Sequence, residues 1–161
     1  MKYYGICPAS CGEFVQGVMD RAEYLCSYAV DLYSTAEVEE KLNNINLGPL
    51  KSRKAIEAVF KKFNIPVEES KNISLKIRSK IPVGKGMASS TADIGATIGA
   101  TLGLIKKELS SEEIAKLAST IEPTDSIYIE KNSIFNPLNG EVIRYLGNVK
   151  DLRVVILEPN S

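Results

Sequence analysis

The segment from Ile81 to Ala92 carries the clearest chemical signal in the chain: glycines and then hydroxyl side chains follow a short apolar run. Glycines let backbone amides approach an anion, and the helix that follows presents free N–H groups and the positive end of its dipole. A serine at such a helix start can also ligate Mg²⁺. The spacing therefore predicts a phosphate-binding loop. The alternative is that Gly84 and Gly86 form only a turn and that Ser89 or Ser90 only caps the helix, with Asp93 in its first turn.

Two common phosphate motifs do not fit this loop. A P-loop requires Gly-Lys followed by Ser or Thr, but Lys85 is followed by Gly86. The dinucleotide fingerprint requires a third Gly or Ala at the position where Ser89 stands. The loop therefore belongs to another class of phosphate site.

The elements on either side of the loop are predicted by their periodicity. Ile73, Leu75 and Ile77 alternate with polar residues, which indicates a strand with one buried face that ends by Pro82. Residues 88–105 are apolar or small and predict a buried helix. Its glycines recur every four residues at 95, 99 and 103. Because glycine destabilises a helix relative to alanine, this stripe predicts that another backbone packs closely against it. A membrane span is the competing interpretation of this run.

The rest of the chain predicts alternating strands and helices. Residues 1–40 indicate short strands with tight turns at Gly5, Gly12 and Gly17. Amphipathic helices are predicted at 50–64 and at 111–121, the second opened by a capping box of Ser110 and Glu113. A two-residue hairpin turn is predicted within 138–141 and a last apolar strand at 152–157.

Three segments together resemble the GHMP kinase family. The family's second motif, Pro-x-x-x-Gly-Leu-x-Ser-Ser-Ala, is matched with Met for Leu and Thr for Ala by Pro82, Gly86, Met87, Ser89, Ser90 and Thr91. Residues 7–17 resemble its first motif in a Pro-x-Ser-Cys-Gly-Glu form, and residues 122–126 read Glu-Pro-Thr-Asp-Ser. With residues 30–35, these segments resemble the branch of the family that phosphorylates free L-threonine for cobalamin assembly.

The resemblance implies ATP as phosphoryl donor, Mg²⁺ as cofactor and O-phospho-L-threonine as product. Phosphoryl transfer asks a protein mainly for positioning and charge neutralisation, which suits a chain with no histidine. The residues expected to cradle the ATP phosphates through their backbone are Pro82, Val83, Gly84, Lys85, Gly86, Met87, Ala88, Ser89 and Ser90. Ser90 or Ser89 is also expected to touch Mg²⁺ through its hydroxyl.

Acidic residues supply the remaining roles that the resemblance implies. Asp125 is expected to be the catalytic residue, accepting the proton of the threonine hydroxyl or orienting that hydroxyl. Glu122 is a second metal candidate, while Ser10 and Glu13 are expected to bind substrate, with Glu13 facing its amino group. The alternatives are an ordinary helix-ending turn at 122–126 and buried strand ends at Ser10 and Glu13. Several relatives carry a lysine where Ser10 stands, which leaves the source of a neutralising charge open.

Composition narrows the classes of function. Lys plus Arg and Asp plus Glu are both 20, so no general attraction to nucleic acid or membrane is expected. Without histidine, hydrolase triads and mixed zinc sites are largely excluded, and the three cysteines are expected to be reduced. No secretory signal is evident, so a cytoplasmic location is expected. The runner-up functions are a kinase for homoserine or another hydroxylated metabolite and a non-catalytic RNA- or protein-binding module.

For the fold, the resemblance implies the α+β class: a mixed, mainly antiparallel sheet with helices on one face, like domain 2 of ribosomal protein S5. Residues 1–161 are expected to be one N-terminal ATP-binding domain, because the family's third glycine-rich motif and its C-terminal domain are absent from this sequence. The expected partners are ATP and L-threonine, with no nucleic acid and no membrane. Either this sequence is the N-terminal part of a longer chain, or another chain supplies the second half; a homo-oligomer is a further alternative. Weak or no turnover is expected of this polypeptide alone.

Overall fold

The computed structural model describes residues 1–42, 44–45, 47–147, 149 and 152–157. Five strands and three α-helices are present in this part of the chain. In chain order they are β1 (Lys2–Met19), β2 (Ala22–Glu40), α1 (Leu50–Lys62), β3 (Ile73–Ser79), α2 (Ser89–Ile105), α3 (Ser111–Ser119), β4 (Ser133–Asn136) and β5 (Glu141–Tyr145). Short 3₁₀ helices occupy Val67–Asn72 and Ser126–Tyr128.

The strands form one sheet in which β2 is central. Strand β1 pairs with one edge of β2, while β3 and β4 share the other edge, with β3 along residues 34–40 and β4 at Leu25. Strand β5 continues the sheet beyond β4, and each pairing in the described part of the chain is antiparallel. The predicted α+β class with a mainly antiparallel sheet is confirmed.

The N-terminal hairpin differs from the prediction of short strands with turns at glycines. The turn is instead formed by Asp20 and Arg21, which adopt the positive φ values of 51° and 66° that tight hairpin turns require. Gly5, Gly12 and Gly17 all lie inside β1. The prediction was wrong because Gly5 serves a close contact and Gly12 lies in a bulge of a long strand, and composition does not distinguish either from a turn.

The helices cover one face of the sheet. Buried side chains of the strands, such as Ala36 and Val38, share a core with Ile56 and Phe60 of α1 and with the alanines of α2. Helix α3 packs on the other two helices through a second cluster that includes Ala118. Within the described residues no helix is long and apolar enough to cross a membrane, so the competing interpretation of α2 as a membrane span is not supported.

Helix α2 packs directly on the backbone of β1, as its glycine stripe predicted. Gly99 lies against Gly5, where an added Cβ on Gly99 would sit 3.7 Å from the Gly5 Cα. A Cβ on Gly95 would meet the ring of Tyr128 and the sulfur of Cys7, at 2.4 and 2.7 Å. The stripe therefore lets α2 approach the sheet closely.

The ends of α1 and α3 follow local capping chemistry. Helix α1 ends at Lys62, earlier than predicted, and Asn64 follows it with a left-handed φ of 56°. Helix α3 begins with the predicted capping box: Ser110 Oγ accepts from Glu113 N at 3.2 Å, and Glu113 Oε2 accepts from Ser110 N at 2.9 Å.

Replacing Ser110 by Ala is expected to lower the free energy of unfolding by about 1 kcal/mol, since an amide of the first turn loses its acceptor. Chemical denaturation measures the effect. Ser111→Ala is the matched control, because it removes a neighbouring hydroxyl without touching the box. Equal effects of the two substitutions would contradict the assignment of the box as the stabilising element.

Two predictions for the C-terminal part of the chain were wrong. The β4–β5 turn contains four residues, not two, because Asn136 pairs with Glu141 and the Asn136 side chain accepts from the amides of Leu138 and Asn139. Residues 152–157 form no strand, and Val155 and Leu157 are 81% and 86% exposed. An apolar run alone does not make a strand, because the backbone of a strand also needs a hydrogen-bonded neighbour.

Candidate active site

The loop between β3 and α2 is fixed at both ends and open in the middle. Ile81 and Met87 are each only 4% exposed, whereas Val83 between them is 84% exposed. The rest of 82–86 is exposed as well. The loop therefore projects from the domain while two buried apolar side chains hold its ends in place.

The loop backbone adopts a left-handed conformation at three alternate positions. Gly84, Gly86 and Ala88 have φ values of 72°, 70° and 53°. A Cβ on either glycine would meet nothing within 4 Å, so glycine is required at these positions for conformation and not for space. Ala88 adopts a conformation that L-residues rarely hold, and strain of this kind is concentrated at functional sites.

The first turn of α2 is left without a cap. Its N-cap residue is Ala88, no side chain caps the helix, and the first turn contains no acidic residue. Ser89 and Ser90 lie in the first turn of the helix and are half-buried. The alternative in which a serine merely caps the helix is therefore not supported, and the amides and dipole of α2 remain available to an anion.

The segment after α3 is joined to the first turn of α2. The hydroxyl of Tyr128 donates to the carbonyl oxygen of Thr91 at 2.7 Å and accepts from Thr124 Oγ1 at 3.4 Å. These contacts place the predicted acidic segment 122–126 beside the helix end that the phosphate loop precedes. Two of the predicted motifs, distant in sequence, are thus brought into one region of the fold.

Asp125 is held by Ser27 of β2, a residue that the sequence did not single out. Ser27 Oγ donates to Asp125 Oδ1 at 2.9 Å, and Ser27 N donates to Ser126 Oγ at the same distance. Ser27 also pairs across the hairpin with Glu13, next to shifts in the β1 register on either side of Glu13. The bulged part of the first motif therefore meets the Asp125 segment.

The two residues predicted to bind substrate differ in exposure. Glu13 is exposed, whereas Ser10 is buried with 1% of its surface accessible. Gly12 between them has a φ of 110°, and the carbonyl of Cys11 accepts from Tyr28 Oη at 2.7 Å. The bulge thus directs Glu13 outward while Ser10 packs into the domain; both assignments to substrate stay predictions.

Further polar pairs flank this region. Ser34 Oγ of β2 donates to Asp93 Oδ1, which places Asp93 on α2 in a structural contact with the sheet. Lys51, in the first turn of α1, forms an ion pair with Glu122 Oε2. Sequence analysis gave no role to Lys51, which belongs to no motif, or to Ser34 within segment 30–35, because only the packing of α1 and β2 reveals their partners.

Burial and like charge disfavour ionisation of Asp125 and Glu13. Burial raises the pKa of Asp125 above its usual value, the Ser27 hydrogen bond opposes the rise, and the charge of Glu122 adds to it. Burial likewise raises the pKa of Glu13, with a further contribution from Asp125. These carboxylates repel each other, so a bound cation would lower the electrostatic free energy of the site.

Glu122, one of the two residues predicted to hold a metal, has a carboxylate oxygen that lacks a partner among the described residues. Glu122 is 14% exposed, and its second carboxylate oxygen, Oε1, is buried without a hydrogen-bond partner. In the described ranges, no three His, Cys, Asp or Glu side chains are grouped to hold a metal ion by themselves. Mg²⁺ usually takes only one or two protein ligands together with waters and phosphates, so Glu122 and Ser90 suffice in number.

Comparison with known proteins agrees with the architecture. Residues 51–129 match the GHMP kinases N terminal domain. The chain is 44% identical over 134 residues to the L-threonine kinase of Salmonella typhimurium and 39% identical over 134 residues to that of Citrobacter freundii, covering 83% of this chain in both cases. The fold matches the Methanococcus jannaschii mevalonate kinase with a TM-score of 0.67 at 24% identity, over 91% of this chain and 56% of that one.

The mainly antiparallel sheet with helices on one face is thus a fold found in known small-molecule kinases. The chain contains the N-terminal domain of the GHMP kinase family, which its residues 51–129 match. It spans less than half the length of the two L-threonine kinases, 44% and 46%.

Proposed function

We propose that this chain is the ATP-binding domain of a kinase that transfers the γ-phosphoryl group of ATP to the hydroxyl of L-threonine. The observation that carries the reaction class is the uncapped N-terminus of α2 behind the left-handed glycine loop, joined by Tyr128 to the Asp125 segment. The similarity to two L-threonine kinases supports the choice of acceptor. Residues 1–161 are proposed to act together with a C-terminal part of the kind present in these longer relatives.

The loop backbone binds the phosphates in this proposal. The N–H groups of residues 83–90 and the dipole of α2 stabilise the negative charge of the phosphates, so positively charged side chains are less needed there. Ser90 and Glu122 would hold Mg²⁺, which when bound neutralises charge on the phosphate oxygens. Lys51, through its ion pair with Glu122, supplies a positive charge in the same region. The first motif supplies none, since Ser10 stands where several relatives carry a lysine.

Asp125 serves the acceptor. Its carboxylate accepts the hydroxyl proton of threonine while the hydroxyl oxygen bonds to the γ-phosphorus and the bond from that phosphorus to the bridging oxygen breaks. ADP and O-phospho-L-threonine result. Glu13, exposed beside Asp125, attracts the ammonium group of the amino acid, and that attraction distinguishes threonine from hydroxy acids without an amine.

Thermal unfolding of the intact gene product tests nucleotide binding. Saturating Mg-ATP, at about 100 times Kd, is expected to stabilise the folded state by about 2.7 kcal/mol and to raise Tm by roughly 5 to 10 °C. Ser90→Ala and Gly86→Val are expected to lose at least half of that shift, since one removes a metal ligand and the other strains a left-handed position.

Val83→Ala is the matched control, because it changes an exposed side chain in the same loop and keeps the amide. Wild-type protection in this variant is expected. If all of these variants show the same protection, ATP does not bind at this loop.

The acceptor is tested with ATP and a panel of L-threonine, L-serine, homoserine and mevalonate. Threonine is expected to give the highest kcat/KM. The substitution Glu13→Gln is expected to raise KM for threonine more than KM for ATP. Preference for homoserine would replace the proposed acceptor and keep the reaction class. No phosphorylation of any acceptor, with no protection by Mg-ATP, would favour a non-catalytic binding module.

A further inference from the structure

We infer that Ser27 is a positioning residue, which holds the carboxylate of Asp125 in place for the acceptor hydroxyl. The inference rests on the proposed function and extends it to a residue outside the three motifs. Ser27 lies on β2, far in sequence from Asp125, and is 5% exposed. It acts through Asp125 and touches neither substrate nor nucleotide in this proposal.

Two hydrogen bonds from one residue define the position of the Asp125 segment. The amide of Ser27 donates to Ser126 Oγ and its hydroxyl donates to Asp125 Oδ1, both at 2.9 Å. A residue that binds two consecutive positions of a segment fixes both its location and its rotation. Because Ser126 is itself 4% exposed, this attachment is shielded from water and correspondingly strong.

The hydroxyl engages only one oxygen of the carboxylate. Oδ1 accepts from Ser27, while the described part of the chain supplies no donor to Oδ2. A carboxylate held through one oxygen presents the other in a fixed direction, as a proton acceptor requires. Ser27 thus orients Asp125 and leaves Oδ2 able to accept a proton.

The position of Ser27 is set by the same hairpin that directs Glu13. Ser27 pairs with Glu13 in the β1–β2 register, and its neighbour Tyr28 donates to Cys11 O within the bulge. Bulges of this kind redirect side chains near active sites. Residues 27 and 28 therefore connect the first motif and the Asp125 segment, and a change at Ser27 is expected to disturb the acceptor side and spare the phosphate loop.

Kinetics of the intact gene product test the inference. Ser27→Ala is expected to lower kcat for threonine about tenfold, with KM for ATP changed by less than about twofold. Ser27→Thr, which keeps the hydroxyl, is expected to recover most of the loss. Ser133→Ala is the matched control: Ser133 is a buried sheet serine whose hydroxyl has no partner, and wild-type kinetics are expected.

Carboxyl ¹³C NMR provides a readout that needs no turnover. The signal of Asp125 is expected to move in Ser27→Ala and to stay in Ser133→Ala. An unmoved Asp125 signal, or a kcat in Ser27→Ala no lower than in Ser133→Ala, would overturn the inference. If the signal moves but the wild-type protein phosphorylates no acceptor, the coupling of Ser27 to Asp125 is supported and the proposed function is the part that fails.

Discussion

Asp125→Asn is expected to lower kcat for threonine phosphorylation by about 10² to 10⁴-fold, the usual range for loss of a general base. The amide keeps the shape of the carboxylate and can still accept the Ser27 hydrogen bond at Oδ1. It cannot take the proton of the acceptor hydroxyl. The effect is measured as kcat at saturating ATP and threonine.

The same substitution is expected to leave stability at neutral pH unchanged or raised. Because burial raises the pKa of Asp125 in the folded state, ionisation there costs stability that develops as pH rises from the ordinary carboxyl range through the raised pKa. Asn removes that cost. Loss of kcat together with an undiminished Tm would separate a catalytic role from a structural one.

Glu130→Gln is the matched control for this experiment. It neutralises an exposed carboxylate a few residues further along the same segment, and wild-type kinetics are expected. If Asp125→Asn reduces kcat no more than Glu130→Gln does, Asp125 is not the proton acceptor.

Gly5→Ala is expected to destabilise the domain by about 3 kcal/mol or more, a large share of the stability of a typical domain. A Cβ at this position would lie 2.0 Å from Ala96 O and 2.5 Å from Ala100 N. Both are backbone atoms of α2, so no rotamer change relieves the clash and the helix must move away from β1. Denaturant unfolding gives the magnitude.

Gly17→Ala in the same strand is the control. A Cβ there would meet nothing within 4 Å, and the lost backbone freedom of glycine in the unfolded chain is expected to make this variant slightly more stable. Similar stabilities of the two variants would contradict the close contact between β1 and α2.

The glycine loop and the helix after it could be predicted from sequence because their signals are local. Glycines at fixed spacing, a preceding alternating strand and a following small-residue helix each constrain the backbone without reference to the rest of the chain. The glycine stripe of α2 predicted a close backbone neighbour for the same reason. Neither pattern names that neighbour, and the structure identifies it as β1 at Gly5.

The acceptor side depended on strand register, which the sequence does not display. Ser27 contacts Asp125 only because β2 pairs with β1 in the observed register and the segment after α3 folds back on β2. Lys51 likewise lies on a helix face with no motif, and its contact with Glu122 follows from helix packing. Non-local contacts of this kind are the part of the site that sequence patterns could not provide.

The strand predicted at 152–157 shows the opposite error, in which a local pattern was given too much weight. Its apolar residues satisfy the composition of a strand, but their backbone groups have no ladder to join in this domain. The turns expected at glycines failed similarly, since glycine serves bulges and close contacts as well as turns.

The contact of Gly5 with α2 has a consequence for how the domain accommodates its ligands. Strand β1 carries the residues proposed for the acceptor, and α2 begins with those proposed for the phosphates, so a backbone contact between them makes the two elements one rigid body. Under the proposed function, analogues that differ in length between their phosphate and amine groups would meet a fixed spacing, so this contact would contribute to selectivity by size.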